Sequence, residues 1–566
     1  MESQRSLLVI GLLLVSYLLW VEYQDAYGPK PATMPVQQTA VSQGVPSVNA
    51  NGDIPTNSFV PILDENAPSD IPTSQSAVPQ IAELETNSDR FITVLTDTLD
   101  ITIDLVGGDV VRADLVKYPV TQGADDSYEI LKPDVARMHI AQSGLVGQDG
   151  PDSNPQGRPL YSTSQTSYSL DGDTLSVPLT WSSVDGLSVT KTFEFTRDQH
   201  VVDVNYDIKN NTNASVTMAQ FAQLKQTTAD QPGGSMFMPI YRGGAYSTEE
   251  EIYEKFNFGD FEDEKLKVST IGGWAGMIEH YFVTAWIPPQ DEQTTITSSI
   301  FNNNFAILGY TGEPITIAVN SEGSLSSRLY TGPKTQSVLK EIARGLNYTV
   351  DYGFLWVISQ YLFIFLVWIQ SIVINWGLAI ICVTICVKGI MYPLTKKQYE
   401  SMAKMRNLQP KMAKLKERFG DDRQKMSQAM MEMYKKEKVN PMGGCFPLLL
   451  QMPIFLALYW VLLESVELRH ADFIFWITDL SVADPFYVLP ILTGASMFLL
   501  QRLQPMTITD PLQQKIMTYM PVAMSIFFFF FPAGLVLYWL VSNCITLVQA
   551  KIIYASMEKR GITSKT

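Results

Sequence analysis

The sequence has 566 residues, of which 46% are hydrophobic, and its formal net charge at pH 7 is −16. The charge is segregated, because residues 22–339 carry 17 basic and 41 acidic side chains whereas residues 395–440 carry 13 basic and 6 acidic ones. Nucleic acid is therefore a poor partner for the acidic part. Basic segments that flank membrane spans stay inside, so the basic part is predicted to be cytoplasmic and the acidic part external.

The first 80 residues are predicted to be an anchor followed by a linker. Residues 1–27 contain an apolar run that is led by Arg5, ends near Trp20 and Tyr23, and shows no small-x-small cleavage site. This pattern predicts an uncleaved signal-anchor helix with its N-terminus inside. Residues 28–80 are rich in Pro, Ser, Thr and Gln and cannot bury enough apolar area to fold, so they predict a disordered linker.

Residues 81–332 carry the signals of β-strands. Apolar and polar residues alternate in 99–106 and again in 110–116, on either side of the turn Gly107-Gly-Asp109. Similar turn dipeptides recur along the segment, for example Asp185-Gly186. The pattern predicts a large antiparallel β-sandwich.

Two carboxylates in this sandwich allow an alternative function. Sandwiches of this size often bind sugars, and Glu194 and Asp203 could be recruited as an acid/base pair. Both residues sit in strand alternation, where a solvated face is the ordinary explanation. Paired catalytic carboxylates also cannot be recognised from spacing across strands, so the sandwich is not predicted to be an enzyme.

Residues 333–374 are predicted to be interfacial helices. The apolar residues of the first part recur at fourfold spacing, namely Val338, Ile342, Leu346 and Val350, which is typical of an amphipathic helix on the outer membrane surface. Residues 354–374 are apolar enough to span, but a crossing here would place the basic segment outside. We therefore interpret them as an interfacial or partly embedded helix.

The remaining apolar segments complete a prediction of six membrane spans. With the anchor, the spans are residues 375–394, 441–464, 486–503, 515–531 and 535–554. The connecting segments are an external loop at 465–485, a cytoplasmic loop at 504–514 and a cytoplasmic tail at 555–566. The last two spans form a hairpin because Phe531-Pro-Ala-Gly534 interrupts their apolar block. Both chain ends are cytoplasmic in this scheme.

Residues 395–440 are predicted to form a cytoplasmic hairpin of two antiparallel helices. Apolar residues follow three- and four-residue spacing on both sides of Phe419-Gly420-Asp421-Asp422, and Asp421 or Asp422 caps the second helix. Many of the apolar residues are methionines. They either fill an irregular helix pair or form a surface that receives varied apolar segments.

The four cysteines are Cys382, Cys386, Cys445 and Cys544, and all lie in or beside apolar segments. No disulfide framework therefore holds the acidic domain. Cys382 and Cys386 share a helix face and could suggest a metal pair, but no histidine or carboxylate stands nearby in the sequence. We interpret them as buried small hydrophobic residues and predict no metal site.

Lys388 is a cation inside the predicted span 375–394. The segment alone leaves two interpretations open, because the side chain could snorkel to the nearby interface or face the helix bundle. No Asp or Glu lies deep inside any other apolar segment. A bundle-facing Lys388 would therefore need a wet cavity and could take its counterion from a substrate. Thr384 lies one turn away and can face the same cavity.

Four motifs resemble the YidC/Oxa family of bacterial membrane protein insertases. They are Lys388-Gly-Ile-Met-Tyr-Pro-Leu-Thr395, Asn440-Pro-Met-Gly-Gly-Cys-Phe-Pro447, Gln451-Met-Pro-Ile-Phe-Leu-Ala-Leu458 and Phe531-Pro-Ala-Gly-Leu-Val-Leu-Tyr538. The resemblance covers the whole chain. It implies a five-helix core, a periplasmic sandwich of the Gram-negative type and a position in the inner membrane.

The resemblance implies a cofactor-independent insertase and chaperone that is not an enzyme. Its implied partners are nascent membrane proteins, the Sec translocon, the lipid bilayer, and ribosomes or targeting factors at the cytoplasmic hairpin. The family's groove cation is most often Arg, so Lys388 keeps the charge but loses the planar fork that binds carboxylates.

The resemblance also implies roles for further residues. Trp539 belongs to the substrate groove with Lys388 and Thr384. An apolar slide, along which an incoming segment leaves for lipid, consists of Met452, Ile454, Phe455, Leu458 and Phe527. The docking surface of the hairpin is expected at Lys416, Arg418, Arg423 and Lys425. Without the resemblance, each slide residue could equally be lipid-facing or core filler.

Two other function classes compete with insertion. A secondary transporter would show inverted repeats and buried ion-coordinating carboxylates, and neither is visible in the sequence. An envelope enzyme or glycan-binding module would place its chemistry in the sandwich. Deletion of most of residues 91–330 separates these classes, since an insertase should retain activity and an envelope enzyme should lose it.

Overall fold

The computed structural model describes residues 90–155, 157–229, 240–263, 265–302, 304–419, 422–437, 446–503 and 511–560. The predicted anchor, the predicted linker and Cys445 lie outside these residues. The described residues divide into two compact units. The β unit holds the chain up to Asp351 together with Glu464–His470, and the helical unit holds Tyr352–Leu463 and the chain from Ala471 onward.

The β unit contains nineteen strands in its described residues. They are β1 (Phe91–Leu95), β2 (Leu99–Asp104), β3 (Asp109–Pro119), β4 (Ser127–Leu131), β5 (His139–Val146), β6 (Ser167–Ser169), β7 (Thr174–Ser182), β8 (Leu187–Thr196), β9 (Val201–Asn210), β10 (Val216–Thr227), β11 (Gly243–Ser247), β12 (Glu254–Phe256), β13 (Lys267–Ile271), β14 (Trp274–Ile278), β15 (Phe282–Ile287), β16 (Gln293–Phe301), β17 (Phe305–Gly312), β18 (Ile315–Ile317) and β19 (Ser321–Pro333). Two short helices accompany them, α1 (Asp260–Asp263) and α2 (Gln336–Ile342).

The strands form two sheets that enclose a shared core. One sheet runs β13-β16-β17-β10-β5-β3-β2-β1-β6, with β18 paired to β10 and β4 paired to β3. The other runs β12-β11-β14-β15-β19-β9-β8-β7. Every strand pair is antiparallel except β1 with β6, which is parallel. The predicted large antiparallel β-sandwich is therefore confirmed.

Local sequence explains the strands that were predicted. The hairpin of β2 and β3 pairs Asp104 with Asp109 across the turn, and Gly107 and Gly108 adopt φ values of 78° and 65°. Glycine suits such left-handed positions because it has no Cβ. In β8 the inward residues are buried at every second position, as two-residue periodicity requires.

The two carboxylates considered for catalysis are cross-strand neighbours. Glu194 on β8 lies opposite Asp203 on β9, and Asp203 lies opposite Arg328 on β19. Glu194 is exposed and Asp203 is half-buried. The structure thus places the two carboxylates opposite each other on neighbouring strands. Their position on a solvated face is the ordinary explanation given above.

The amphipathic helix predicted after residue 333 was wrong in length and surroundings. The structure has only the seven-residue helix α2, followed by a 3₁₀ turn at Leu346–Thr349. Leu339, Ile342 and Leu346 pack in a core cluster with strand residues of the β unit. Their apolar side chains are covered by protein, because the sheet offers a closer apolar surface than the membrane.

The described part of the helical unit contains eight α-helices. They are α3 (Trp356–Val373), α4 (Trp376–Ile390), α5 (Tyr392–Phe419), α6 (Arg423–Lys436), α7 (Phe446–Glu464, whose last residue belongs to the β unit), α8 (Val488–Leu503), α9 (Pro511–Phe527) and α10 (Ala533–Lys559). By length and composition, residues 353–373 and 533–559 are long and apolar enough to cross a membrane. The bent pair of α4 with the first part of α5 could form a third such span.

The predicted span 375–394 is bent near its end. Helix α4 stops at Ile390, and α5 begins at Tyr392 with its axis turned by 60°. Pro393 explains the break, because its ring would clash with the carbonyl of Gly389 in a continuous helix, whereas proline is tolerated in the first turn of a new one. The basic hairpin therefore starts as the continuation of this span.

Helices α5 and α6 form the antiparallel pair that was predicted for the basic segment. The Tyr434 hydroxyl lies 3.7 Å from the Met412 sulfur, and Lys411 Nζ lies 2.5 Å from a Glu437 carboxylate oxygen. Asp422 is the N-cap of α6, since its side chain accepts a hydrogen bond from the Lys425 backbone N–H at 3.1 Å. The predicted cap is thereby confirmed.

Helix α3 shows apolar side chains around most of its circumference. One face is buried at Ser359, Phe363, Leu366 and Ile369, and the Ser359 hydroxyl donates to the Ala457 carbonyl of α7 at 3.1 Å. The remaining surface exposes large apolar residues such as Tyr361 and Trp368. Such a helix needs an apolar surrounding. Whether it spans the bilayer or lies at its surface stays a prediction.

The three described cysteines are more exposed than the sequence interpretation expected. Cys386 and Cys544 are exposed and Cys382 is half-buried, all as free thiols. Apolar surface on a membrane-embedded helix needs no protein cover, because lipid is as apolar as a protein core. Within the described ranges, no group of three His, Cys, Asp or Glu side chains could hold a metal ion.

Candidate functional site

Lys388 points into the helical unit. It lies in the last turn of α4, and only 7% of its surface is exposed. The sequence had left open whether this side chain snorkels to the interface. Its burial favours the second interpretation, in which the ammonium faces neighbouring helices.

Three helices meet at this ammonium. Lys388 Nζ donates to Gln451 Oε1 on α7 at 3.2 Å and to Thr546 Oγ1 on α10 at 3.1 Å. Gln549, one turn further along α10, donates its Nε2 to the Lys388 carbonyl at 3.0 Å. We call Lys388, Gln451, Thr546 and Gln549 the Lys388 site. Its polar partners are neutral, and no carboxylate forms an ion pair with Lys388 among the described residues.

The neutral members of this site were not predicted from the sequence, because amides and hydroxyls stand out less than charges in an apolar segment. A signal was present, because Ser542, Thr546 and Gln549 recur at four- and three-residue spacing and so share one face of a largely apolar helix. Asn543 beside them donates to the Ser496 hydroxyl of α8 at 3.0 Å, so polar contacts extend further along α10.

The other two predicted groove residues are placed differently. Thr384 lies one turn before Lys388 and is 1% exposed, but its hydroxyl donates to the Ile380 carbonyl of its own helix at 2.6 Å. Trp539 lies with aromatic residues, since its ring is 4.5 Å from that of Phe455 and 4.9 Å from that of Phe528. The structure therefore groups Trp539 with the predicted slide.

The five predicted slide residues divide between surface and interior. Met452 is 44% exposed, and the side chains of Ile454, Phe455 and Phe527 are half-buried. Leu458 is 2% exposed and lies in the interior. Four of the five side chains are therefore at least partly accessible, whereas Leu458 is covered by its neighbours.

The predicted docking surface lies on the paired helices α5 and α6. Arg418 is exposed and its guanidinium lies 5.3 Å from the centre of the Phe419 ring. Lys425 is exposed and pairs with Asp422 at 3.1 Å. Lys416 and Arg423 belong to the same helices, but their side chains lie outside the described part of the chain.

The Lys388 site can bind an anion without performing covalent chemistry. Two neutral oxygens orient the ammonium but do not neutralise it, so a carboxylate that reaches it would gain a charge-assisted hydrogen bond. The low dielectric of a membrane-embedded bundle strengthens that attraction.

Comparison with known proteins gives two family matches and relatives of the same length. Residues 91–365 match the family described as YidC periplasmic domain, and residues 368–560 match the family described as 60Kd inner membrane protein. The chain is 59% identical over 565 residues to membrane protein insertase YidC of Pseudoalteromonas atlantica, with 100% of both proteins covered. It is 52% identical over 565 residues to membrane protein insertase YidC of Shewanella halifaxensis, which covers 99% of this chain and 100% of that protein.

A solved structure was also found. A crystal structure titled as an active YidC insertase with its first transmembrane domain resolved shares 18% sequence identity and aligns with a TM-score of 0.37. It covers 83% of this chain and 93% of that chain. The family assignment rests on the sequence matches, which span nearly the whole chain and confirm the resemblance seen in the motifs. The chain belongs to the YidC family of membrane protein insertases.

Proposed function

We propose that this chain inserts membrane proteins into the inner membrane and assists their folding, and that the Lys388 site receives the acidic part of an incoming segment. The observation that carries the proposal is a buried ammonium held by the neutral side chains Gln451 and Thr546. A buried cation with neutral partners is costly unless a counterion arrives. A client carboxylate is such a counterion.

The proposed mechanism lowers the cost of moving polar groups across lipid. Each unpaired charge or amide that enters hydrocarbon costs several kcal/mol. A hydrated groove that reaches part of the way through the membrane shortens the dry distance that a polar tail must cross. The apolar part of the client would then leave for lipid along Met452, Ile454, Phe455 and Phe527, with Leu458 and Trp539 behind them.

Lysine in place of the more frequent arginine should affect binding geometry more than attraction. The ammonium of Lys388 is a compact point charge with rotatable donors, whereas guanidinium binds carboxylates through a planar fork. We therefore expect clients to be attracted by charge, with little dependence on the orientation of their carboxylates.

The proposal includes protein partners and an orientation in the membrane. The net positive hairpin of α5 and α6 offers ribosomes or targeting factors a salt-sensitive docking surface. The Sec translocon is a further proposed partner, as the family resemblance implies. In this arrangement the β unit is periplasmic and both chain ends are cytoplasmic.

The orientation can be tested by cysteine labelling. In a variant without natural cysteines, cysteines placed at Ser401 and Ser427 should react only with a reagent added from the cytoplasmic side. Labelling from the outside would contradict the six-span arrangement, in which α3 does not cross, and would reverse the orientation of the Lys388 site.

Reconstitution tests the function itself. Purified protein in lipid vesicles should insert a client with a short acidic exported tail, and the client should become protected from protease. A variant that lacks most of residues 91–330 should retain this activity, because the Lys388 site lies outside them. Loss of all activity in a correctly folded deletion variant would instead favour an envelope function located in the sandwich.

A further inference from the structure

One short segment, which begins at the last residue of α7, belongs to the β unit. Residues Glu464–His470, which we call the strap, group with the strands, whereas the residues just before and after them group with the helical unit. Glu464 is also the last residue of α7. Every contact described below lies within the β unit.

The first anchor of the strap is a buried ion pair. Lys334 Nζ lies 3.0 Å from Glu464 Oε2, and the side chains are only 2% and 6% exposed. The same ammonium donates to the Thr349 carbonyl at 3.2 Å. Each charge in such a pair depends on the other, because a buried charge left alone is strongly unfavourable.

The second anchor combines an apolar contact with an aromatic one. Val466 belongs to the main core cluster of the β unit and is 3% exposed. The Arg469 guanidinium lies 5.7 Å from the ring centre of Tyr128 and 5.5 Å from that of Phe282, and these two rings are stacked at 4.3 Å. Cation–π contacts of this kind are stronger when partly desolvated.

Hydrogen bonds to the backbone complete the attachment. Arg469 donates to the Pro119 carbonyl at 2.6 Å and to the Val120 carbonyl at 3.2 Å. The Gln122 side chain donates to the carbonyl of His470 at 3.2 Å. The strap is therefore held at both ends, by an ion pair at its first residue and by polar and aromatic contacts at its last two.

We propose that the strap is a positioning device for α7, and that Lys334 is its principal positioning residue. The proposal rests on the insertase function proposed above. Helix α7 carries Gln451 of the Lys388 site and the slide residues Met452, Ile454, Phe455 and Leu458. The first anchor lies in this helix itself, because Glu464 is both the last residue of α7 and the first residue of the strap. Fixing Glu464 thus fixes one end of the helix along which clients move.

The test uses the full-length protein in vesicles and three variants. Lys334→Met leaves Glu464 buried without its partner. The double variant Lys334→Met with Glu464→Met removes both charges, which is often tolerated because no buried charge is left alone. Lys209→Met is the matched control, since it removes a lysine from the exposed β-unit pair of Lys209 with Glu322.

The first measurement reports whether the strap is docked. The four natural cysteines are replaced by serine, and cysteines are placed at Gln122 and His470, which are neighbours in the docked strap. Disulfide formation between them should fall by about threefold or more in Lys334→Met and return to within about twofold of the parent in the double variant. Lys209→Met should leave it unchanged.

The second measurement reports the position of α7. A photo-crosslinking residue is placed either at Met452 on α7 or at Phe527 on α9, and client crosslinks are compared. In Lys334→Met the ratio of crosslinks from 452 to those from 527 should fall by about threefold, and the double variant should restore it. General misfolding would lower both crosslinks together and leave the ratio unchanged.

Three outcomes would overturn the proposal. The strap could stay docked in Lys334→Met, the ratio could stay constant while the strap is released, or the double variant could fail to restore either measurement. A parent protein that neither crosslinks nor inserts clients would contradict the proposed function itself. Normal insertion with an unchanged ratio would overturn the positioning role alone.

Discussion

The two units of the molecule treat buried cations in opposite ways. In the β unit, Arg158 forms ion pairs with Asp109 and with Asp152, the latter at 2.8 Å. In the helical unit, Lys388 has only the neutral oxygens of Gln451 and Thr546 as polar partners among the described residues. Both cations are held by specific hydrogen bonds, but only the first is neutralised.

A second buried cation in the β unit, Lys191, refines the contrast. Lys191 is fully buried and donates to the carbonyls of Gly107, Gly108 and Ser143 at 3.1, 2.7 and 3.0 Å. Burial lowers the pKa of Lys191 to about 7, while nearby Asp109 acts in the opposite direction. The β unit thus surrounds its buried cations with acceptors and carboxylates that stay in place. The Lys388 site leaves charge available, which suits binding a transient partner.

The largest expected effect comes from reversing the available charge. Lys388→Glu should lower insertion of clients with acidic exported tails by about tenfold or more, because an attraction on the order of 1–2 kcal/mol becomes a repulsion. Lys388→Arg should insert these clients normally. The measurement is the rate of protease protection in vesicles.

Two controls sharpen this prediction. Clients whose exported tails carry no acidic residues should be affected much less by Lys388→Glu. If Lys388→Ala inserts acidic clients at the parent rate, charge attraction is unimportant and the site acts mainly through hydration. The contrast between the two units would then lose its functional meaning.

The free energy of unfolding should depend more on the paired cation Arg158 than on Lys388. Arg158→Met leaves Asp109 and Asp152 buried without their cation, which should cost about 3–5 kcal/mol of unfolding free energy. Lys388→Met leaves no carboxylate without a partner. It loses two hydrogen bonds but also removes a buried charge, so its net cost should be only about 1 kcal/mol. Denaturant unfolding of both variants in the same detergent measures the difference.

A conservative variant provides the matching control. Arg158→Lys keeps the charge but loses the planar guanidinium. Its free energy of unfolding should therefore lie between those of the parent and Arg158→Met. Equal destabilisation by Lys388→Met and Arg158→Met would mean that Lys388 has an anionic protein partner. That result would remove the basis for client binding at this site.

A smaller, pH-dependent effect is expected from an uncharged buried base in the β unit. His139 is 2% exposed, its Nδ1–H donates to the Ile130 carbonyl at 2.9 Å, and burial lowers its pKa to about 3. Below about pH 6.5 the His139 imidazole binds a proton in the unfolded chain but stays neutral in the folded protein. The free energy of unfolding should therefore decrease as the pH is lowered below 6.5, by about 1.4 kcal/mol per unit, or about 2 kcal/mol at pH 5, for this group.

His139→Asn tests this assignment. Asparagine can keep the hydrogen bond to Ile130 but does not titrate, so the unfolding free energy should fall less between pH 7 and pH 5 than in the parent. His200, whose pKa burial lowers to about 4, should contribute in the same direction. An unchanged pH slope in His139→Asn would contradict the prediction.

The smallest effect is expected from the exposed charges of the hairpin. Replacing Lys416, Arg418, Arg423 and Lys425 by Gln should leave folding and orientation intact, because exposed charges contribute little to stability. Ribosome co-sedimentation should weaken and cotranslational insertion should slow by about two- to threefold at low salt.

A variant near the helix start separates docking from orientation. Lys396 and Lys397 lie near the bend from the preceding span, where charge is expected to set topology. Replacing these two by Gln should disturb orientation more than ribosome binding. If the four distal substitutions change neither ribosome binding nor insertion at low salt, the hairpin's charge serves lipid anchoring and topology alone.

The sequence by itself determined the local features of this protein. Strand alternation and the glycines at 107 and 108 predicted the β2–β3 hairpin, and the pair Asp421-Asp422 predicted the start of α6. The family, too, was recognisable from short motifs such as residues 531–538. Such features depend on residues that are close along the chain, so periodicity, capping and turn chemistry are sufficient to predict them.

Only the tertiary structure decided which distant residues meet. The direction of Lys388 depended on Gln451 and Thr546, which lie 63 and 158 positions away. The pairing of Lys334 with Glu464 spans 130 positions, and the burial of Leu346 depended on a sheet rather than on its helical spacing. Side-chain spacing specifies a face of a helix or strand but not what covers that face, because packing brings together segments whose patterns are independent.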